Sequence, residues 1–67
     1  MAEIKISLAA ARVNAGMTQE EVAKKMQVSK NTIINWEKSL AEPKVSQALR
    51  LSELYKMPLE SIIFFTH

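Results

Sequence analysis

The stretch VSKNTIINWEK, Val28 to Lys38, sets amide and ammonium side chains beside two isoleucines and the only tryptophan of the chain. On a helix, Ile33 and Trp36 share one face, while Lys30, Asn31, Ile34, Asn35 and Lys38 gather on the opposite one. Amides and ammonium groups donate or accept hydrogen bonds, and an outward isoleucine offers apolar cover. That is chemistry for recognising another surface. The groups that catalysis needs are missing: His67 is the lone histidine, cysteine is absent, and no glycine-rich phosphate loop occurs. Glu20 and Glu21 suit a helix start better than a paired-acid site. The sequence therefore predicts no enzyme, no metal site and no cofactor.

Five short helices account for the positions of these residues. Ser7 caps a first helix, Ser7 to Ala15, with Leu8, Ala11 and Ala15 at helical spacing and Gly16 to end it. TQEE, Thr18 to Glu21, has the pattern of a capping box and opens a second helix that carries Val22, Ala23 and Met26 on one face. Ser29 caps the third after a very tight turn, and the small Ala23 lets the two backbones approach. Pro43 disfavours helical geometry at Glu42, so a fourth helix begins beyond it with Val45, Ala48, Leu49, Leu51 and Leu54 or Tyr55 facing inward. Pro58 suits the first turn of a fifth, Leu59 to Ile63. The run IIFF is equally consistent with a short strand paired with Ile4 to Ile6.

A chain of 67 residues holds one small domain, and 48% apolar residues with a single glycine describe a folded one. Without cysteine, packing alone must stabilise it. MAEIKISLAAARVNAG contains neither a basic leader with a long apolar run nor a membrane-length apolar stretch, so a cytoplasmic location and no membrane partner are expected. The net charge of +2 argues little by itself. Its distribution says more, because Lys24, Lys25, Lys30 and Lys38 lie close in sequence with only Glu37 among them.

MTQEEVAKKMQVSKNTIINWEK, followed by Pro43 and LYKMPLESI, resembles the Cro/CI-type helix-turn-helix regulators, the lambda-repressor-like or XRE family. The opening LAAARVNAG is also similar to that of small prophage regulators. The resemblance covers residues 8–63 and implies an all-α, compact five-helix domain with the helix-turn-helix at residues 18–38. It implies that Ser29 to Lys38 is the recognition helix, lying in the major groove of double-stranded DNA. Candidate DNA-binding residues are then Gln19, Ser29, Lys30, Asn31, Thr32, Ile34, Asn35 and Lys38. Asparagine can pair with adenine, lysine can donate to guanine, and an isoleucine can cover a thymine methyl. Gln19 matches the family's phosphate contact. Arg12 and Glu37 match a pair that ties the first helix to the end of the recognition helix. Trp36 is expected in the core.

The family usually has glycine where this chain has Gln27, Ser39 and Lys56, so these three are expected to adopt positive φ. Lys44 stands where a Ser or Asp cap is common, which predicts a ragged start to the fourth helix. The expected function is sequence-specific regulation of transcription, as a phage or bacterial repressor. One module makes a small interface, so a homodimer on two half-sites is expected, with Ile62, Ile63, Phe64 and Phe65 as its candidate surface. The alternative is a protein-binding module of the same fold, such as an antitoxin or anti-repressor gripping a protein partner.

Overall fold

Ser7 has two roles at the start of the described chain, residues 5–63 of a computed structural model. It ends strand β1 (Ile6–Ser7) and caps α1 (Leu8–Asn14), its hydroxyl accepting from the Ala10 amide at 3.1 Å. Helix α2 (Gln19–Met26) opens on the complete capping box: the Thr18 hydroxyl accepts from the Glu21 amide at 3.1 Å, and the Glu21 carboxylate accepts from the Thr18 amide at 2.9 Å. That backbone hydrogen bond, with the hydroxyl contact second, holds the Glu21 carboxyl below its ordinary pKa. Ser29 caps α3 (Lys30–Glu37) by accepting from Thr32 N at 3.1 Å. Lysine has no acceptor with which to cap α4 (Val45–Tyr55), so the expected weak start is met from inside the helix. There the Gln47 side chain reaches back and accepts from Lys44 N at 2.8 Å.

All four helices end the same way. A residue in the left-handed region follows each: Gly16 at φ 73°, Gln27 at 58°, Ser39 at 61° and Lys56 at 53°. The next amide then reaches back five residues, as Met17 N to Arg12 O, Val28 N to Ala23 O, Leu40 N to Asn35 O and Met57 N to Ser52 O, between 2.9 and 3.2 Å. This is the Schellman closure, which satisfies carbonyls that the helix leaves open. It usually brings an apolar residue after the left-handed one back onto the helix. Met17, Val28 and Met57 do pack against the core, whereas Leu40 is exposed. The three positions expected to take positive φ without glycine all do so.

The buried residues form one cluster to which every helix contributes: Leu8 and Ala11, then Val22, Ala23 and Met26, then Ile33 and Trp36, then Ala48, Leu51 and Tyr55. Helix α2 packs chiefly against α3, with small Ala23 among the buried residues of that junction. Two expectations for α4 need correcting. Val45 is 73% exposed and Leu49 49% exposed, although both were expected to face inward. Ala48, Leu51 and Tyr55 define the buried stripe, and at about 100° per residue Val45 and Leu49 lie roughly 90° and 130° from its centre.

The fifth helix is also corrected. Leu59–Ser61 is a single 3-10 turn, and strand β2 (Ile62–Ile63) follows it and pairs parallel to β1, with Ile6 opposite Ile62 and Ser7 opposite Ile63. Among the described residues the domain therefore has four α-helices and a two-residue ladder. Too few residues separate Pro58 from Ile62 for an α-helix to form before Ile62 must extend to reach Ile6. That pairing buries Ile62 to 5% exposure within its own chain. Ile62 thus has no surface to offer a second subunit, contrary to its expected place in a dimer interface. Ile63 joins the ladder through its backbone, and Phe64 and Phe65 lie outside the described residues.

Gln27 is exposed, so its left-handed backbone carries a side-chain penalty without a packing reward. Replacing it as Gln27→Gly is expected to stabilise the fold by on the order of 1 kcal/mol or less. A thermal melt of the two proteins checks this; a lower midpoint for the glycine variant contradicts it.

Candidate nucleic-acid interface

With Ile33 and Trp36 buried, α3 has only one face left for solvent. Lys30, Asn31 and Lys38 are exposed there, and Ile34 and Asn35 are half-buried beside them. The side chains of Asn31, Asn35 and Lys38 make no hydrogen bond to another described residue, so their donors and acceptors remain available to a ligand. Ser29 and Thr32 differ, because their hydroxyl oxygens lie 2.9 Å apart and Ser29 also caps the helix. Their first duty is to the helix start.

Behind this face sits a tightly bonded carboxylate. Glu37, the last residue of α3, accepts from Arg12 Nε at 2.7 Å and from its terminal nitrogen Nη2 at 3.4 Å, and from Gln19 Nε2 at 2.9 Å. Arg12 uses its other terminal nitrogen to donate to the Met17 carbonyl at 2.9 Å. The Arg12 and Glu37 side chains are only 16% and 8% exposed. Each polar group thus has a partner, as partly buried charges require. The resemblance gave Arg12 and Glu37 as a pair, and the structure places them in contact. It did not indicate that Gln19 shares the carboxylate, because that contact needs the crossing geometry of two helices. The Gln19 amide has a second N–H beyond the one given to Glu37, and its backbone N–H belongs to the first turn of α2, where a helix leaves its amides without an intrahelical partner.

Glu20 was assigned only to a helix start. Its carboxylate lies 3.5 Å from Lys30 Nζ and so joins the first turns of α2 and α3. No spacing rule within one helix reports such a contact. Among the described residues there is no cluster of His, Cys, Asp or Glu suited to hold a metal ion.

The family model described as Helix-turn-helix matches residues 8–62. The chain belongs to the XRE-type helix-turn-helix family. This helix-turn-helix chain is 34% identical over 53 residues to the HTH-type transcriptional regulator ImmR of Bacillus subtilis, covering 79% of this chain and 42% of that protein. It is 35% identical over 54 residues to an uncharacterized HTH-type transcriptional regulator of Archaeoglobus fulgidus, covering 81% and 77%. It is also 35% identical over 52 residues to the cryptic phage CTXphi transcriptional repressor RstR of Vibrio cholerae, covering 78% and 47%. The matched segment spans less than half the length of ImmR and RstR. No solved structure matches the chain significantly.

Two measurements probe the bonding behind the helix-turn-helix. In Glu37→Ala, Arg12 loses its carboxylate and Gln19 its anchor. Breaking one side of a buried pair costs roughly 3 kcal/mol at the lower end of the usual range, and urea unfolding should show a loss of about that size. Tyr55 is the second probe. Burial first, then the negative charge of Glu37, against a smaller opposing effect of Arg12, push its phenol up from 10.0 to about 12. The raised value means the folded state keeps the proton longer than the unfolded chain does. The resulting stability is complete below pH 10 and is lost as pH climbs from there toward about 12. Urea midpoints of the native chain and Tyr55→Phe, compared across pH, should therefore differ by a constant below pH 10, with the native chain losing ground above it.

Proposed function

We propose that this helix-turn-helix chain is a DNA-binding transcriptional regulator that inserts α3 into the major groove of double-stranded DNA and represses by occupying an operator. The observation that carries this reading is the division of α3 into two faces. One is locked into the core by Ile33 and Trp36, and the other presents Asn31, Asn35 and Lys38 without partners among the described residues. The names of ImmR and RstR, a transcriptional regulator and a phage repressor, support the same reading.

On this reading Asn31 and Asn35 read base edges, Ile34 covers a thymine methyl, and Lys38 and Gln19 hold phosphates at the two edges of the contact. Lys30, Ser29 and Thr32 complete the set at the start of α3. The protein acts by binding rather than catalysis, in the cytoplasm. No helix among the described residues is long and apolar enough to cross a membrane. A homodimer on half-sites about one helical turn apart would supply the specificity that one module lacks.

The division of labour is testable once a target site has been selected from a random DNA pool. Alanine at Asn31 or Asn35 should cost roughly 1–3 kcal/mol and relax the preference at one base position. Alanine at Lys38 or Gln19 should weaken all sequences about equally, and only the Lys38 change should flatten the salt dependence, by about one unit of slope. Uniform losses for both asparagine variants, with no base relaxed, would remove direct readout by this face. Binding to a protein instead of DNA would show little salt dependence.

A further inference from the structure

The ion pair between Glu20 and Lys30 has no good explanation in the stability of the fold. Its Nζ–Oε1 distance is 3.5 Å and its side chains are 74% and 52% exposed, so solvent screens most of the attraction. Lys30 is the first residue of α3, where the helix dipole disfavours a cation, and the first turn of α3 contains no acid of its own. Glu20, in the first turn of α2, places a negative charge beside a face read as meeting DNA phosphates. Lys30 is thus placed at some cost to α3, and Glu20, though favourable to the start of α2, is placed at some cost to the attraction of DNA.

They fit a different purpose. Resting on the reading of α3 as the DNA-contacting helix, we propose that Glu20 is a positioning residue that makes Lys30 selective, holding its ammonium so that the remaining donors meet a base edge rather than a phosphate. An ammonium has three N–H donors. A charge contact with Glu20 at 3.5 Å leaves at least two of them for O6 and N7 of a guanine, so a matched site is bound with the pair intact. A phosphate contact requires the ammonium to leave Glu20 for another anion and brings the bare carboxylate close to the DNA backbone. Non-specific DNA therefore bears a penalty that the matched site avoids.

The test uses the full chain, a duplex selected from a random pool, and a scrambled duplex of equal length. Glu20→Gln should tighten binding to the scrambled duplex by about 3- to 10-fold and to the selected site by less, so that the discrimination ratio falls. Lys30→Ala should also lower that ratio. In the Lys30→Ala background, adding Glu20→Gln should leave the ratio unchanged, so that the loss of discrimination depends on Lys30; a purely repulsive Glu20 instead predicts equal tightening on both duplexes with Lys30 present. Equal tightening on both duplexes overturns the proposal, as does a fall in ratio that persists without Lys30. A native chain that binds the duplexes with steep salt dependence while Glu20→Gln leaves the ratio intact rejects the proposal alone. A native chain that binds neither duplex at low salt rejects the DNA reading and the proposal with it.

Discussion

Glu37 closes α3 with a carboxylate that takes hydrogen bonds from Arg12 of α1 and Gln19 of α2, while Arg12 also donates to the Met17 carbonyl between those helices. The aim of α3 is therefore fixed from both sides. Apolar packing through Ile33 and Trp36 sets its depth. A cluster of apolar side chains alone would tolerate small rotations of a helix, whereas hydrogen-bonded groups of fixed geometry resist them. The same carboxylate lies close enough to Tyr55 to perturb its titration, so α4 also feels this group. The eight-residue α3, proposed as the recognition helix, needs that support, since so short a helix has little stability of its own.

The helix ends reveal a second constraint. Short helices in a small domain must close abruptly, and four Schellman closures do this, although only Gly16 is a glycine. Each left-handed non-glycine residue costs backbone energy, offset in part by satisfied carbonyls and, at Val28 and Met57, by apolar contact with the core. Leu40 is the exception. Its closure is formed, but its side chain stands in solvent near the start of α4, where Val45 and Leu49 are exposed too.

Local signals were legible in the sequence. Ser7, Thr18 and Ser29 cap the helices they were expected to cap, and Gln27, Ser39 and Lys56 take the positive φ that missing glycines implied. Ile33 and Trp36 are buried as their spacing required. What failed depended on the third dimension. Val45 and Leu49 share a helix with the buried stripe but sit off its axis, a distinction that apolar character alone does not draw. Ile62 was expected at a dimer surface, yet the short strand offered as the alternative to a fifth helix is what forms, and it pairs Ile62 with Ile6, almost the whole chain away. The sharing of Glu37 by Gln19 and the approach of Glu20 to Lys30 likewise arise only when helices cross.

The ladder that joins Ile6 to Ile62 also orders the assembly of the domain in time. Contacts between α2 and α3 link neighbours in sequence and close a short loop, whereas the ladder must bring together the two flanks of the entire helical unit. Loop closure costs entropy before any contact returns it, so the near contacts lead and the ladder follows. The helix-turn-helix is then the early unit, and the two flanking strands form a late clasp that also opens first. The surface proposed to meet DNA is then built before the chain has finished folding around it.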